Sequence, residues 1–446
     1  MGEINGNVAT GCDTVASHAG CDATKGVIPS SQINCDATQL VASGFMPDAL
    51  YRREVFLKPR KISEKVDFLG AQDFDRRLFD ELIPLPDGTS YNAYLVRGSE
   101  KTALIDTVDP TKSDVLLEQL SEVERIDYLV CQHVEQDHSG AIPQVLASYP
   151  EVQILATPKA KPMLVDHLNV DPARIREVAD GEEVSLGDRT LQFIHAPWVH
   201  WPETMLTYLP EEGILFTCDL FGAHLATTMA YAHDRGWVYE AAKRYYAEIM
   251  MPFRTSIEKH LRRLEGYKIR MICPSHGPVY DEPNFILNAY RDWVFSPPKN
   301  LALLPYVSMH GSTRMMVDHL VAALVARGVE VAPFNLTVTD LGKLAQALVD
   351  AATVVFATPT MLTGPHPSTV SAAYLVAALR PKLRYAGIIG SYGWGGKAAQ
   401  VIQDLLSPLK LKWLEPVIVR GIPKEEDLKE LDKLADEIAS FHRNLE

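Results

Sequence analysis

Between Cys131 and Gly140 the chain reads C-Q-H-V-E-Q-D-H-S-G, which places His133, Glu135, Asp137 and His138 within six residues. All four side chains can bind a metal ion, and they follow directly on residues 126–130, an apolar run that reads as a buried strand. On an extended backbone successive side chains alternate in direction. His133, Glu135 and Asp137 are therefore expected to point one way, with His138 swinging round at the loop, so that one face carries enough ligands for two metal ions. The bland alternative is a solvated acidic loop with incidental histidines. An imidazole and two carboxylates in strict alternation argue against it.

The ligand types bear on the metal. Imidazoles with open water positions suit zinc, and a binuclear zinc hydrolase with a related motif would carry a histidine where this chain has Glu135. Two carboxylates among imidazoles, with no thiolate nearby except Cys131 on the strand itself, lean toward iron or manganese, although zinc and copper compete for any such site.

Further candidates sit where other short apolar strands run out. Residues 102–106 form one, ending at Asp106, which is placed either to orient a ligand histidine or simply to make the turn. Asp87-Gly88 and Gly187-Asp188 are hairpin turns. The second leads through residues 191–194 to His195 and then to His200-Trp201-Pro202-Glu203. Residues 205–209 and 214–218 make a strand pair ending at Asp219, and residues 271–274 end at Ser275-His276-Gly277. A rigid scaffold that delivers ligands from separate strand ends can assemble one site from distant sequence.

The totals exclude several classes. The chain has 446 residues, 47% of them hydrophobic, enough for two or three domains with sizeable cores. With 57 acidic against 43 basic side chains, a net charge of −14, and no basic cluster, nucleic acid is not an expected partner. No apolar run approaches the roughly 20 residues needed to span a bilayer, and residues 1–8 show neither a charged leader nor an apolar signal core. Six cysteines without a Cys-x-x-Cys pair point to the reducing cytoplasm and away from a fused rubredoxin-like or iron–sulfur module.

Residues 1–61 read as a flexible, low-complexity tail. Cys12-Asp13-Thr14, Cys21-Asp22-Ala23-Thr24 and Cys35-Asp36-Ala37-Thr38 recur within it, at spacings that match no zinc template. Residues 62–296 then form a first globular part. Ser296-Pro297-Pro298 is a joint, since proline continues neither a helix nor a central strand.

Residues 297–446 change character. Continuous apolar runs at 301–304, 354–357 and 387–390 alternate with helical patterns such as 316–327, the signature of a doubly wound parallel sheet. Ligands in such sheets sit beyond the carboxyl ends of the strands. Three loops are expected there: Ser308-Met309-His310-Gly311-Ser312-Thr313, which offers hydroxyls and N–H groups at a helix start; Thr358-Pro359-Thr360-Met361; and Ser391-Tyr392-Gly393-Trp394-Gly395. The first alone would pass for an ordinary capped helix. The three together fit FMN, with Tyr392 and Trp394 able to stack on a flat ring, better than a dinucleotide, because no Gly-x-Gly-x-x-Gly is present.

H-V-E-Q-D-H, His-Trp-Pro at 200–202, Asp219 and Ser-His-Gly at 275–277, followed by a flavin-type sheet, together resemble the flavodiiron proteins, or A-type flavoproteins. The resemblance covers about residues 62–446. It implies a metallo-β-lactamase-like αββα sandwich followed by a flavodoxin-like domain. It further implies one iron held by His133, Glu135 and His200, the other by Asp137, His138 and His276, and Asp219 bridging them. FMN, reduction of O2 to water or of NO to N2O, and a head-to-tail homodimer or dimer of dimers follow by the same resemblance. So does an electron donor such as rubredoxin, a flavoprotein reductase or reduced deazaflavin. Two departures stand out: His310 occupies a position where the family usually has Tyr or Trp, and Pro305 interrupts the strand expected to run mid-sheet.

Overall fold

The computed structural model describes residues 57–445. Its first sheet has seven strands in chain order: Arg60–Lys61, Val66–Asp73, Thr89–Arg97, Thr102–Ile105, Tyr128–Val130, Gln153–Ala156 and Ile175–Glu177. The first four pair antiparallel and the rest parallel. A second sheet of five follows: Glu183–Ser185, Thr190–His195, Met205–Leu209, Ile214–Cys218 and Met271–Pro274. Tyr94, Ile105, Val130, Phe193, Phe216 and Cys273 share one buried cluster between these two sheets, and alternation along each strand sends the intervening side chains outward. Helices such as Ser113–Leu120 cover the outer face of the first sheet. Two sheets packed face to face under helices make the αββα sandwich.

The register of the opening pair shows that the extended structure starts before residue 62, since Arg60 pairs with Phe68 and Lys61 with Asp67. The repeats at Cys12, Cys21 and Cys35 lie outside the described residues.

The third sheet runs Glu330–Asn335, Lys299–Tyr306, Ala351–Met361, Tyr385–Tyr392, Lys412–Trp413, with Val417–Arg420 also paired to the fourth. This is the 2-1-3-4-5 order of doubly wound flavodoxin-like sheets, all parallel. Pro305 lies one residue from the end of the second strand in this order. It stands opposite Phe334 on one side, while the pairs on the other side step from Leu303 to Tyr306 past it.

One buried cluster joins the sandwich's outer helices to this third sheet. Tyr246, Met250 and Trp293 belong to it together with Leu344, Val354, Phe356 and Ile388. Polar contacts flank the same junction. Arg244, at the end of the helix Arg235–Tyr245, donates from Nη1 (2.6 Å) and Nη2 (2.8 Å) to the two carboxylate oxygens of Asp340, and from Nη2 to the Pro84 carbonyl (3.0 Å). Asp340 caps the helix Leu341–Leu348 through Gly342 N (2.8 Å). Lys243 pairs with Asp350 at 2.7 Å.

Removing Asp340 takes the two-pronged carboxylate from a largely buried guanidinium, which keeps only Glu248 at 3.2 Å and the Pro84 carbonyl, and uncaps a helix. Asp340→Ala is expected to cost about 3 kcal/mol, read as a lower midpoint in urea denaturation of the full chain. A second stability test concerns the last helix, Glu425–His442. Asn300 gives its amide N–H to the Gly328 carbonyl (2.8 Å), so its oxygen faces His442 and accepts from Nδ1–H (2.8 Å), while Nε2 accepts from Thr353 Oγ1 (2.6 Å). Burial pushes this imidazole down from 6.5 to about 4. The unfolded chain therefore binds a proton first as pH falls, and the stability present above 6.5 is lost progressively toward pH 4. His442→Gln should flatten that part of the pH–stability curve.

Candidate metal centre and flavin site

The backbone turns the ligand motif differently from an extended strand. Residues Gln136–Ser139 form a helical turn, so Asp137 and His138 are adjacent on that turn rather than Asp137 continuing the line of His133 and Glu135. The alternation expected for three ligands holds only for His133 and Glu135. The consequence is a separation into two groups: His133, Glu135, His200 and Asp219 in one, and Asp137, His138 and His276 in the other.

Asp219 reaches both groups. Its Oδ2 lies 3.5 Å from His133 Nε2 and 3.4 Å from His200 Nε2, and its Oδ1 lies 3.0 Å from His138 Nε2 and 3.4 Å from His276 Nε2. Glu135 Oε2 is 3.1 Å from His133 Nε2 and 2.9 Å from His200 Nε2, while Asp137 sits 3.3 Å from His138 Nε2 and 3.2 Å from His276 Nε2. Metal–nitrogen and metal–oxygen bonds of about 2.1 Å place neighbouring ligand atoms about 3.0–3.4 Å apart, so these separations are those of coordination edges. Both oxygens of Asp137, His138 Nε2 and Asp219 Oδ2 are buried without a hydrogen-bond partner. Buried polar atoms left in that state are costly unless something else satisfies them, and two cations fit the requirement. His195, the rival of His200 by spacing, instead puts Nε2 3.0 Å from the Val178 carbonyl.

The strand ends are tied together beneath the ligands. Asp106, at φ +55°, accepts from Gln132 N and Nε2 (2.8 Å each) and from Ser275 Oγ (3.3 Å). It joins three loop bases rather than orienting a ligand imidazole. Asn92 holds the Ser275–Gly277 turn by donating from Nδ2 to the carbonyls of Pro274 (2.9 Å) and Gly277 (2.7 Å). His276 Nδ1 donates to the Ser90 carbonyl at 2.7 Å.

Electrostatics follow from burying carboxylates beside imidazoles. Burial opposes charge on His276, yet the bonds to Asp137 and Asp219 outweigh it and raise the imidazole to about 10. For His200, burial is likewise outweighed by Asp219 and Glu135, and the result is about 9. Burial pushes Asp219 upward, but His138 and its other imidazole partners hold it well below the usual carboxylate range. Tyr245 is driven up by burial and by Asp219, so its hydroxyl stays protonated and donates to Asp219 Oδ1 at 2.8 Å. His224, buried against Phe79, Tyr245 and His276, is kept neutral by burial and by the charge of His276. Cys218 comes within ligand distance of His138 and Asp219, and burial pushes its thiol well above the usual range.

Tyr245 and Cys218 were missed by sequence reasoning. Tyr245 is the last residue of the helix Arg235–Tyr245, 26 residues beyond Asp219, and carries no local signal. Glu203 was also passed over, since its bond to His133 spans 70 residues and no local pattern marks it.

In the third sheet the three predicted loops do converge. Thr313 and Ser391 share a hydroxyl–hydroxyl hydrogen bond of 3.3 Å, and Pro359 stands opposite Ser391 in the parallel pair. The second and third are not simple loops, however. The strand Ala351–Met361 runs through Thr358, Pro359, Thr360 and Met361, whose end folds back on Gly364–Pro365, and Ser391 and Tyr392 are still strand residues. Parallel pairing of Pro359 with Ser391 extends the sheet under the site. Met309 and Trp394 are exposed, as is Leu362 at the fold-back tip.

Gly311, at φ +91°, caps the helix Ser312–Ala326 with nothing within 4 Å of where a Cβ would stand, and Ser308 Oγ accepts from Arg314 N at 3.1 Å. A Cβ on Gly396 would meet Thr360 Cγ2 at 2.4 Å, so close approach of these two segments requires glycine. A cleft of about 550 Å³ lies beside Thr360, Tyr392, Gly395 and Lys397. An open N–H cradle, hydroxyls and two exposed or half-buried aromatic rings fit the phosphate and ring of a flavin.

Residues 89–277 match the family described as "ODP family beta lactamase". A nitric oxide reductase of Moorella thermoacetica is 36% identical over 86% of this chain and 98% of its own length. Among solved structures, rubredoxin oxygen:oxidoreductase from Desulfovibrio gigas superposes with a TM-score of 0.83 at 29% identity, over 87% of this chain and 99% of that one. The flavodiiron protein from Giardia intestinalis gives 0.82 at 25% identity, over 87% and 98%. The chain belongs to the flavodiiron family of flavin- and iron-binding oxidoreductases.

The raised imidazoles set a test of metal loading. Their ordinary value is 6.5, and His200 and His276 stand at about 9 and 10 in the protein without cations. The stabilisation they give that form is complete below 6.5 and is lost as pH rises through 9 to 10. A cation must displace their protons. Adding zinc or ferrous ion to metal-free protein at pH 7 is expected to release protons in a pH-stat, with the release shrinking toward zero above pH 10.

Proposed function

We propose that this chain reduces dioxygen to water, nitric oxide to nitrous oxide, or both, at a pair of iron ions that receive electrons through FMN. The observation that carries this reading is the division of Asp219, one oxygen toward each of two buried ligand groups. We assign His133, Glu135 and His200 to one iron, Asp137, His138 and His276 to the other, and Asp219 as the bridge.

When bound, two ferrous ions and reduced FMN would hold four electrons together, the number needed to take one O2 to two waters, whereas two NO require two electrons to give N2O and water. The chain's own residues define the surroundings. Tyr245 keeps its proton and holds Asp219 Oδ1 in place. His224 presents an unprotonated imidazole with both ring nitrogens unpartnered, able to donate one hydrogen bond without adding charge. Phe79 and Tyr245 pack on that ring and keep water from it. The carboxylate-rich ligand set together with a flavin cradle in the same chain leaves the zinc-hydrolase alternative unfavoured.

The same reading divides the chain near residue 296 into a metal-binding part and an FMN-binding part. It supports a head-to-tail homodimer in the cytoplasm, supplied by rubredoxin, a flavoprotein reductase or reduced deazaflavin. Exposed apolar side chains border both sites, Trp198 beside His200 and Trp394 and Leu362 at the flavin loops, and a second subunit would cover them. Among the described residues no helix is long and apolar enough to cross a membrane.

Metal and flavin analysis of protein isolated without oxygen should return two iron and one FMN per chain. Mixing the reduced protein with each gas in an anaerobic stopped-flow, with N2O measured, then ranks the substrates. Two zinc per chain with no gas reduction would sink the proposal. Asp219→Ala is expected to weaken both metals by more than about 100-fold, since even residues behind the ligands are worth about 10–100-fold.

A further inference from the structure

The two ligand groups differ behind their histidines. His276 Nδ1 donates to a neutral backbone carbonyl, that of Ser90, at 2.7 Å. His133 Nδ1 donates at 2.7 Å to Oε1 of Glu203, a carboxylate. Glu203 is 1% exposed, and it is fixed by more than that one bond. Its Oε1 also accepts from Val134 N at 3.1 Å, and its carbonyl accepts from Thr157 Oγ1 at 2.9 Å. The Trp201 ring meets His133 edge-on, with centroids 4.9 Å apart, so the imidazole cannot swing. With Nδ1 committed to Glu203, Nε2 is the nitrogen left facing Glu135 and Asp219.

We infer that Glu203 is a positioning residue that makes one half of the metal centre more electron-rich than the other. The inference rests on the di-iron assignment above. A hydrogen bond to an ionised acceptor is roughly twice as strong as one to a neutral acceptor, and it draws the Nδ1 proton away from the ring. Electron density rises at Nε2, and the ligand becomes a stronger donor. A stronger donor favours the ferric over the ferrous state, so an iron bound by His133, Glu135 and His200 would be the easier of the two to oxidise and the more tightly held. The iron held by Asp137, His138 and His276 has only the Ser90 carbonyl behind one imidazole, and His138 Nδ1 has no partner.

Glu203→Gln separates charge from geometry, because an amide oxygen can still accept from His133 and Val134. In FMN- and iron-loaded protein, two readouts are expected. Competition with a ferrous chelator should release one of the two irons about 10–100-fold more readily than in the wild type, with the other unchanged. An electrode titration followed by EPR of the mixed-valence state should show the first ferrous-to-ferric step at a higher potential, with the FMN potential unmoved as an internal reference. Glu203→Asp retains a buried carboxylate at greater reach and should shift both readouts the same way by less; it serves as the second variant if the amide form does not accumulate. Equal weakening of both irons, or an unmoved first potential, overturns the role of Glu203. Wild-type protein that takes up no iron pair overturns the di-iron assignment itself, and that result appears before any variant is made.

Discussion

The centre depends on the balance of charge around Asp219. Carboxylates buried beside imidazoles cannot stay ionised without positive charge close by, and the protein supplies imidazoles on both sides of one bridging carboxylate. Protons on His200 and His276 or a pair of cations can provide that charge. Everything else in the sandwich serves to keep those atoms within about one coordination edge of each other. The strands end at the same level, and Asp106, Asn92 and Ser90 use backbone and side-chain hydrogen bonds to pin the loops that carry the histidines.

That construction explains why ligands from residues 133 to 276 meet. In the first sheet the parallel strands Thr102–Ile105 and Tyr128–Val130 set their ends side by side, and the loop carrying His133 to His138 starts at the second, whereas His200 follows Thr190–His195, a strand paired antiparallel on both sides. The second sheet adds Asp219 and His276 from neighbouring parallel strands, Ile214–Cys218 and Met271–Pro274. Long-range assembly therefore needs only local accuracy at a few strand termini.

Much of this was legible in the residues. His133 to His138, Asp219 and His276 stood out by type and by their positions at strand ends, and the third sheet by its apolar runs; the strand before His200 ends at His195, and only the His-Trp-Pro resemblance singled out His200. Alternation along the motif did not yield the pairing of ligands, because it describes a strand and the chain adopts a helical turn at Gln136–Ser139; the two groups that the side chains form are those the family resemblance implied. The flavin segments were placed at the right strand ends, but continued pairing past Thr358 and Ser391 lengthens those strands, a choice made by tertiary contact rather than local preference. Tyr245 reaches the site only because its helix packs over it. Glu203 needed its distance to His133, which no spacing rule supplies.

The cluster that runs from Trp293 and Tyr246 through Leu344 to Phe356 and Ile388 has a consequence for how the molecule can be taken apart. Cutting near residue 296 would strip an oily face from each fragment at once. Fragments prepared singly would then stick to one another or to themselves, and a cofactor titration on either would report on a repaired surface instead of the native one. Electron flow in this protein is thus best studied in the uncut chain.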